Sequence, residues 1–279
     1  MRILTDADQL HELRGCVLTP TMGGLHAGHA ALVRHARALA DERGTSVVVS
    51  LFVNPTQFDN PADFARYPRT LDADSALCAA AGADAVFAPP VAVVYPAAAP
   101  VPAPPPPAQA LGRGLEDAFR PGHFEGVCQV VRRIFDLVSP AAAVFGEKDW
   151  QQLQVVRAMT ARDLPGIEII GSPTVREPDG LAMSSRNRFL TPDERARAAG
   201  VARALCDACG APSVHEAERA MRRTLGAAGM TIDYAVVRDA ATLEPVDPTT
   251  APGGAGQMRA LVAAHLGSVR LLDNAPWPA

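Results

Sequence analysis

The 279-residue chain carries a formal net charge of −4, with 48% hydrophobic and 20% charged residues. That balance argues against a nucleic-acid or membrane surface, and no run of the sequence reaches the roughly 18 apolar residues needed to cross a bilayer. The opening stretch "MRILTDADQLHELRG" lacks the apolar core of a secretory signal, so a cytoplasmic protein without nucleic-acid or membrane partners is expected.

The length suggests two structural units. In the first half, short β-branched runs alternate with helical patterns. "CVLTPT" (16–21) reads as a strand ending in a turn, "HAALVRHARALADERG" (29–44) as a helix stopped by Gly44, and "SVVVSLFV" (46–53) as an almost wholly apolar, buried strand. Strand, helix and buried strand in succession imply a parallel sheet covered on both faces. The pattern recurs in "SALCAAAGADAVFAP" (75–89), "EGVCQVVRRIFDLVSPAAAVFG" (125–146) and "WQQLQVVRAMTARDLPGIEIIGSPTV" (150–175). Between these, "YPAAAPVPAPPPPAQALGRG" (95–114) holds seven prolines and is expected to be a stiff surface loop, because proline cannot donate to a sheet ladder. After residue 175 the order changes to two helical patterns, "TPDERARAAGVARALCDA" and "VHEAERAMRRTLGAAG", followed by the strand-like runs "IDYAVVRD", "MRALVAAHLG" and "VRLLDN". The reading is a Rossmann-like α/β doubly wound parallel sheet over 1–174 and a smaller α+β unit with a partly antiparallel sheet over 175–279.

Five cysteines, Cys16, Cys78, Cys128, Cys206 and Cys209, are an odd number set mostly in apolar runs, which favours buried, reduced thiols. Cys206 and Cys209 form a CxxC inside a helical pattern with no second pair to complete a zinc site.

Lys148, in "FGEKDW", is the only lysine among 26 lysines and arginines. An ammonium is a compact, rotatable point charge that a planar guanidinium does not imitate. Its position also excludes a Walker A loop, a kinase lysine and an SxxK hydrolase. "PTMGGLHAGHAALV" (20–33) offers another way to handle phosphates: a strand end, a tight turn at Gly23 and Gly24, then His26 and His29 three residues apart as a helix begins. Backbone N–H groups and the helix dipole there favour an anion, and the imidazoles can donate to developing phosphate charge. A metal site on the two histidines lacks neighbouring cysteine or carboxylate ligands. "SLFVNPTQF" ends the next strand with Asn54 and Gln57, neutral groups suited to a hydroxy acid. "FRPGHFEGV" presents Arg120 and His123, each also readable as part of a turn or cap. "GLAMSSRNRFL" places Ser184, Ser185 and Arg186 in a polar loop able to close over a triphosphate.

The ordered motifs "PTMGGLHAGH", "VSLFVNPTQF", "RYPRTLDAD", "FRPGHFEGV", "FGEKDWQQL" and "PTVREPDGLAMSSRNRFL" resemble those of the pantoate–β-alanine ligase family, within the superfamily of HIGH-motif nucleotidyltransferases. The resemblance implies ATP-dependent condensation of pantoate with β-alanine through pantoyl adenylate, with Mg2+ carried by the ATP phosphates and no tightly bound cofactor. It further implies a homodimer. By motif matching, the ATP site comprises Pro20, Thr21, Met22, Gly23, Gly24, Leu25, His26, Ala27, Gly28 and His29, then Gly146, Glu147, Lys148, Asp149, Val175, Met183, Ser184, Ser185 and Arg186. His29 is the implied proton donor and His26 its partner, with Lys148, Ser184, Ser185 and Arg186 on the phosphates. Gln57, Gln152 and Asn54 are expected at pantoate, and Gln57 also near β-alanine.

Three departures from the family pattern carry expectations of their own. "APVPAPPPP" stands where relatives carry a strand, which bears on the local edge and on any dimer contact there. Asp117 and Phe119 replace small residues before "RPGHF" and are expected to alter the pocket rim; Thr56 replaces a methionine-like residue and is expected to loosen the pantoate pocket. The alternatives are another nucleotidyltransferase of the superfamily, which would need an extra basic acceptor pocket, and a catalytically silent nucleotide-binding protein, which would show a damaged histidine pair or no lysine.

Overall fold

The computed structural model describes residues 1–58, 61–253 and 257–277. Strands β1 (Arg2–Leu4), β2 (Val17–Thr21), β3 (Val47–Leu51), β4 (Ala85–Phe87), β5 (Ala142–Gly146) and β6 (Glu168–Ser172) form one sheet in the order β1-β4-β3-β2-β5-β6. Every pairing in it is parallel. The crossovers contain α1 (Ala27–Arg43), α2 (Pro61–Arg66), α3 (Leu71–Ala80), α4 (Val91–Val94), α5 (Glu116–Phe119), α6 (His123–Val138) and α7 (Trp150–Asp163). Successive strand residues point to opposite faces. Val17, Val47, Val49, Val86 and Val144 pack with Ala30, Val33, Ala36 and Ala40 of α1, whereas Leu18, Val48, Phe87 and Phe145 pack with Val127, Ile134 and Phe135 of α6 and Val156 of α7. Both faces are therefore covered, and the continuous apolar strands follow from that double burial. The chain runs outward from β2 in one direction through β3 and in the other through β5, so the topological switch point lies between β2 and β5, where open α/β sheets bind ligands.

Beyond β6 come α8 (Pro192–Ala198), α9 (Gly200–Cys209), α10 (Val214–Ala227) and a second sheet of β7 (Thr231–Asp239), β8 (Met258–Leu266) and β9 (Val269–Trp277). This sheet is antiparallel throughout, not in part. One face, including Ala235, Val237, Ala260 and Val262, packs on α9 and α10. The other face, including Tyr234, Val236, Leu261 and Ala263, joins the core beside α6 and α7.

The helix expected over 29–44 begins two residues earlier, at Ala27, because His26 caps it. It stops as expected at Gly44, which takes a left-handed φ of 63°. The strand expected over 46–53 stops at Leu51, since Asn54 caps a 3-10 turn at Pro55–Gln57. The proline segment has no strand, only a 3-10 turn at Ala108–Ala110. It is fastened to the helices beside it, with Gln129 Nε2 donating to the Val101 carbonyl at 2.6 Å and Arg162 to that of Pro105 at 2.8 Å. Cys16, Cys78 and Cys128 are buried, but Cys206 and Cys209 lie exposed on α9, a correction to the expectation of buried thiols.

Candidate active site

All six parallel strands end at the same edge, which brings the motif-bearing turns together. After β2, Gly23 and Gly24 take positive φ values of 85° and 62°, a region open to glycine at little cost. Asp74 fixes this turn: its carboxylate accepts the Gly24 N–H at 2.9 Å and the Leu25 N–H at 2.8 Å. At the start of α1, His26 Nδ1 accepts the Gly28 N–H at 3.1 Å and His29 Nδ1 accepts the His26 N–H at 3.3 Å. The two ring centroids lie 4.1 Å apart. A ring nitrogen that accepts carries no proton, so each imidazole keeps its proton on Nε2, the one donor it has left for a ligand.

Burial, reinforced by the Lys148 and Arg188 charges, pushes the His26 pKa down to about 4. Burial pushes that of His29 down to about 3, with the charges of His26 and Lys148 adding and that of Asp149 opposing. Both rings are neutral near pH 7, and the proton that His29 can offer a ligand is the one on Nε2. The backbone N–H groups of Gly24, Leu25, His26 and Gly28 are already engaged by side chains, so charge on a phosphate there falls to the imidazoles and to nearby cations.

Lys148 supplies such a cation from the neighbouring strand. It sits in the 3-10 turn Glu147–Asp149 between β5 and α7. Its side chain is 19% exposed, with Nζ 3.7 Å from Asp149 Oδ1. The same cavity is lined by Pro20, Thr21, Met22, His26, Gly28, His29, Gly146, Lys148, Asp149, Val175, Met183, Ser184, Ser185 and Arg186. The loop of the last four residues is anchored by a Met183 N–H to Val175 carbonyl bond of 2.9 Å. Ser184 Oγ caps the following turn by accepting the Arg186 N–H at 3.2 Å. Of the expected ATP residues, Gly23, Gly24, Leu25 and Ala27 shape the turn from behind the wall, and the Glu147 carboxylate is directed away to Arg259, at 3.2 Å.

Gln57 and Gln152 both line the cavity. Gln57 Nε2 lies 3.0 Å from Met22 Sδ, and its Oε1 accepts from Asn54 Nδ2 at 3.1 Å. Asn54 itself stands behind the wall, a correction to its expected contact with pantoate: it is fully buried, and its oxygen accepts from Tyr95 and Thr56 while its amide also reaches the Gly126 carbonyl. Thr56 is exposed and absent from the cavity wall, so it does not loosen the pocket directly. Asp117 does not form the rim either, because its carboxylate accepts the N–H groups of Arg113 and Leu115 and the Gln151 amide. Phe119 is exposed, with its ring tilted against that of Tyr234.

Sequence reasoning left Arg120 and His123 without a firm role and missed Glu116 and Tyr234; all four line the cavity. The buried Glu116 takes two 2.7 Å hydrogen bonds from Arg270 and one of 2.8 Å from the Tyr234 hydroxyl. Burial alone would raise the Glu116 pKa; the bonds and charge of Arg270, with Arg120 and Tyr234, overcome it and hold the carboxyl down at about 2. His123 donates from Nδ1 to the Gln57 carbonyl at 3.1 Å and meets Arg120 through Nε2. Burial and the Arg120 charge push its pKa down to about 4. Arg270 lies 154 positions beyond Glu116, so no local pattern could have paired them. Among the described residues, no cluster of three or more His, Cys, Asp or Glu side chains forms a metal site, and no helix is long and apolar enough to cross a membrane.

The family model for pantoate-beta-alanine ligase matches residues 2–276. The pantothenate synthetase of Acidothermus cellulolyticus is 48% identical over 263 residues, covering 92% of this chain and 84% of that protein. That of Thioalkalivibrio sulfidiphilus is 47% identical over 264 residues, with coverages of 93% and 89%. Among solved structures, pantothenate synthetase from Thermus thermophilus matches with a TM-score of 0.88 at 43% identity, over 100% of both chains. The pantoate-beta-alanine ligase of Francisella tularensis, complexed with beta-gamma ATP and beta-alanine, matches with a TM-score of 0.78 at 30% identity, over 99% of this chain and 97% of that one.

Proposed function

The chain belongs to the pantoate–β-alanine ligase family, and from that premise we propose how its own residues divide the work of joining pantoate to β-alanine at the expense of ATP. The observation that carries the assignment is the switch point: two neutral Nε2–H donors after β2 share one cavity with Lys148 after β5 and Ser184–Arg186 from the second unit. In the first step a pantoate carboxylate oxygen attacks the α-phosphorus of ATP and pyrophosphate leaves. The attacking group is already an anion, so no general base is required. The residues act by alignment and by neutralising charge on the phosphates. His26 and His29 donate hydrogen bonds, Lys148 and Arg186 supply positive charge, and Ser184 and Ser185 offer hydroxyls. In the second step the β-alanine amine attacks the acyl carbon of the adenylate, and AMP leaves with the acyl C–O bond electrons.

Gln57 and Gln152 hold pantoate in this scheme, with Gln57 braced by Asn54 and by the His123 bond to its carbonyl. Residues 1–174 bind ATP and pantoate, and 175–279 close the site against water, which would hydrolyse the adenylate. Mg2+ enters with ATP. The protein's donor set suits a cation that brings phosphate and water ligands with it, because Glu116, Glu147 and Asp273 are committed to arginines while the Asp149 carboxylate is about half exposed on the cavity wall. The buried thiols of Cys16, Cys78 and Cys128 support a reducing, cytoplasmic setting. The homodimer implied by the resemblance is part of the same proposal; exposed Ile3 on the edge strand β1 offers apolar surface for it.

The test is exchange of labelled pyrophosphate into ATP without β-alanine. Exchange that depends on pantoate is expected from an adenylate route; folded protein showing none would refute it.

A further inference from the structure

The turn that presents Lys148 is held chiefly from the second sheet. The Asn274 side-chain amide of β9 donates both its hydrogens to that turn, to the Glu147 carbonyl at 2.9 Å and the Lys148 carbonyl at 2.8 Å. Asn274 is 3% exposed, and its orientation is fixed because its Oδ1 accepts from Arg259 Nε. Arg259 in turn reaches the Glu147 carboxylate at 3.2 Å and lies over Trp150, 3.4 Å from the ring centre. The adjacent residue, Asp273, is 2% exposed and performs the matching task for the other phosphate-facing segment. Its carboxylate accepts from Arg176 at 2.6 and 3.1 Å. Arg176 also donates to the Gly180 carbonyl at 2.9 Å and bridges Ala182, immediately before Met183–Arg186.

We propose that Asn274 is a positioning residue for Lys148, and that the Asp273–Asn274 dipeptide sets the spacing between the lysine turn and the Ser184–Arg186 loop. Two carbonyls of consecutive residues held by one rigid amide fix the backbone direction of the turn, and with it the root of the lysine side chain. The mobile part of Lys148 then sweeps only the space over the phosphates. This inference rests on the role proposed for Lys148, and it explains how a unit remote in sequence assembles the switch-point site: the C-terminal sheet contributes the frame of the site, not only its cover.

The experiment is a double-mutant cycle on pantoate-dependent pyrophosphate exchange in the full chain, with Asn274→Ala, Lys148→Ala and the double variant. Asn274→Ala is expected to slow exchange by about 10-fold to 10²-fold, the scale of a small misplacement of a catalytic group. In the Lys148→Ala background the same change is expected to cost less than about twofold, because the group it positions is already gone. A Gln57→Ala background serves as control; there the two losses multiply, whereas a general loosening of the fold would shrink them in both backgrounds. Full multiplication of the losses in the Lys148→Ala background, or a near-normal rate for folded Asn274→Ala, overturns the proposal while leaving Lys148's role intact. A near-normal rate for Lys148→Ala overturns the role of the lysine, and the proposal with it. If circular dichroism shows Asn274→Ala unfolded, Asn274→Asp replaces it in the cycle, since it keeps an oxygen for Arg259 and loses both donors.

Discussion

Replacing Lys148 by arginine separates charge from shape. The positive charge stays, so the contribution of Lys148 to the lowered pKa values of His26 and His29 is largely kept, and both rings remain neutral donors. What changes is geometry. The lysine side chain is 19% exposed in a wall it shares with both histidines, and a planar guanidinium fork cannot place a single compact charge there. Loss of a preorganised charge stabiliser costs on the order of 10²-fold in kcat, or about 2.7 kcal/mol, and that loss is expected for the adenylation step measured by pyrophosphate exchange at saturating ATP and pantoate. Lys148→Met, which removes the charge as well, is expected to lose more and also to raise the His26 pKa, read from the imidazole 13C or 15N shifts. Turnover of Lys148→Arg within about twofold of the parent would refute the need for a compact ammonium, since that difference is under about 0.5 kcal/mol.

Three further outcomes follow from the geometry. Because His26 and His29 have folded pKa values of about 4 and 3, below the usual 6.5, their contribution to stability is complete above pH 6.5 and is lost as pH falls through the window from 6.5 toward 4 and 3. Denaturant midpoints should therefore fall between pH 7 and pH 5, less steeply in His29→Asn, and an imidazole titrating near 6.5 at either position would contradict the neutral pair. Arg270→Leu removes both of the shortest bonds to the buried Glu116 carboxylate and leaves it only Arg120 and the Tyr234 hydroxyl, and urea unfolding is expected to show a loss of about 3 kcal/mol; a loss below about 1 kcal/mol would mean that the pair contributes little. Gly126→Ala drives a Cβ into the Thr56 carbonyl oxygen and to 2.8 Å from the Gln57 nitrogen, so the turn bearing Gln57 must shift. The KM for pantoate should rise at least about tenfold, equivalent to about 1.4 kcal/mol, while an unchanged KM would argue against Gln57 as a pantoate ligand.

The parts of this site that could be read from sequence are those whose cause is local. His26, His29, Gln57 and Lys148 each follow a recognisable strand, because parallel strands must all end at the same edge, and a turn after each strand end is where side chains become free of the ladder. The supporting groups could not be read in that way. Asp74 grips a turn 50 residues earlier in the chain, Asn274 holds a carbonyl 126 residues away and Arg270 meets Glu116 across 154. Only the closed fold brings these partners together, and only it shows that Asp74 and the two imidazoles engage the backbone N–H groups of Gly24, Leu25, His26 and Gly28. The same contacts give physical content to the single lysine. Arginine does the fixed work: Arg176 clamps Asp273, Arg270 clamps Glu116, and Arg259 is pinned between Glu147 and Trp150. Each uses the planar, multi-donor fork that lysine lacks. Among the described residues, the ion pair that Lys148 makes is with its own neighbour Asp149, at 3.7 Å, which on the role proposed for it leaves the ammonium comparatively free to follow phosphate oxygens as their charge moves from the α-phosphate to departing pyrophosphate. A charge that must move with the reaction and a charge that must hold two segments still are different requirements; on the proposed roles Lys148 meets the first, with Arg186 beside it in the cavity wall, and Arg176, Arg259 and Arg270 meet the second.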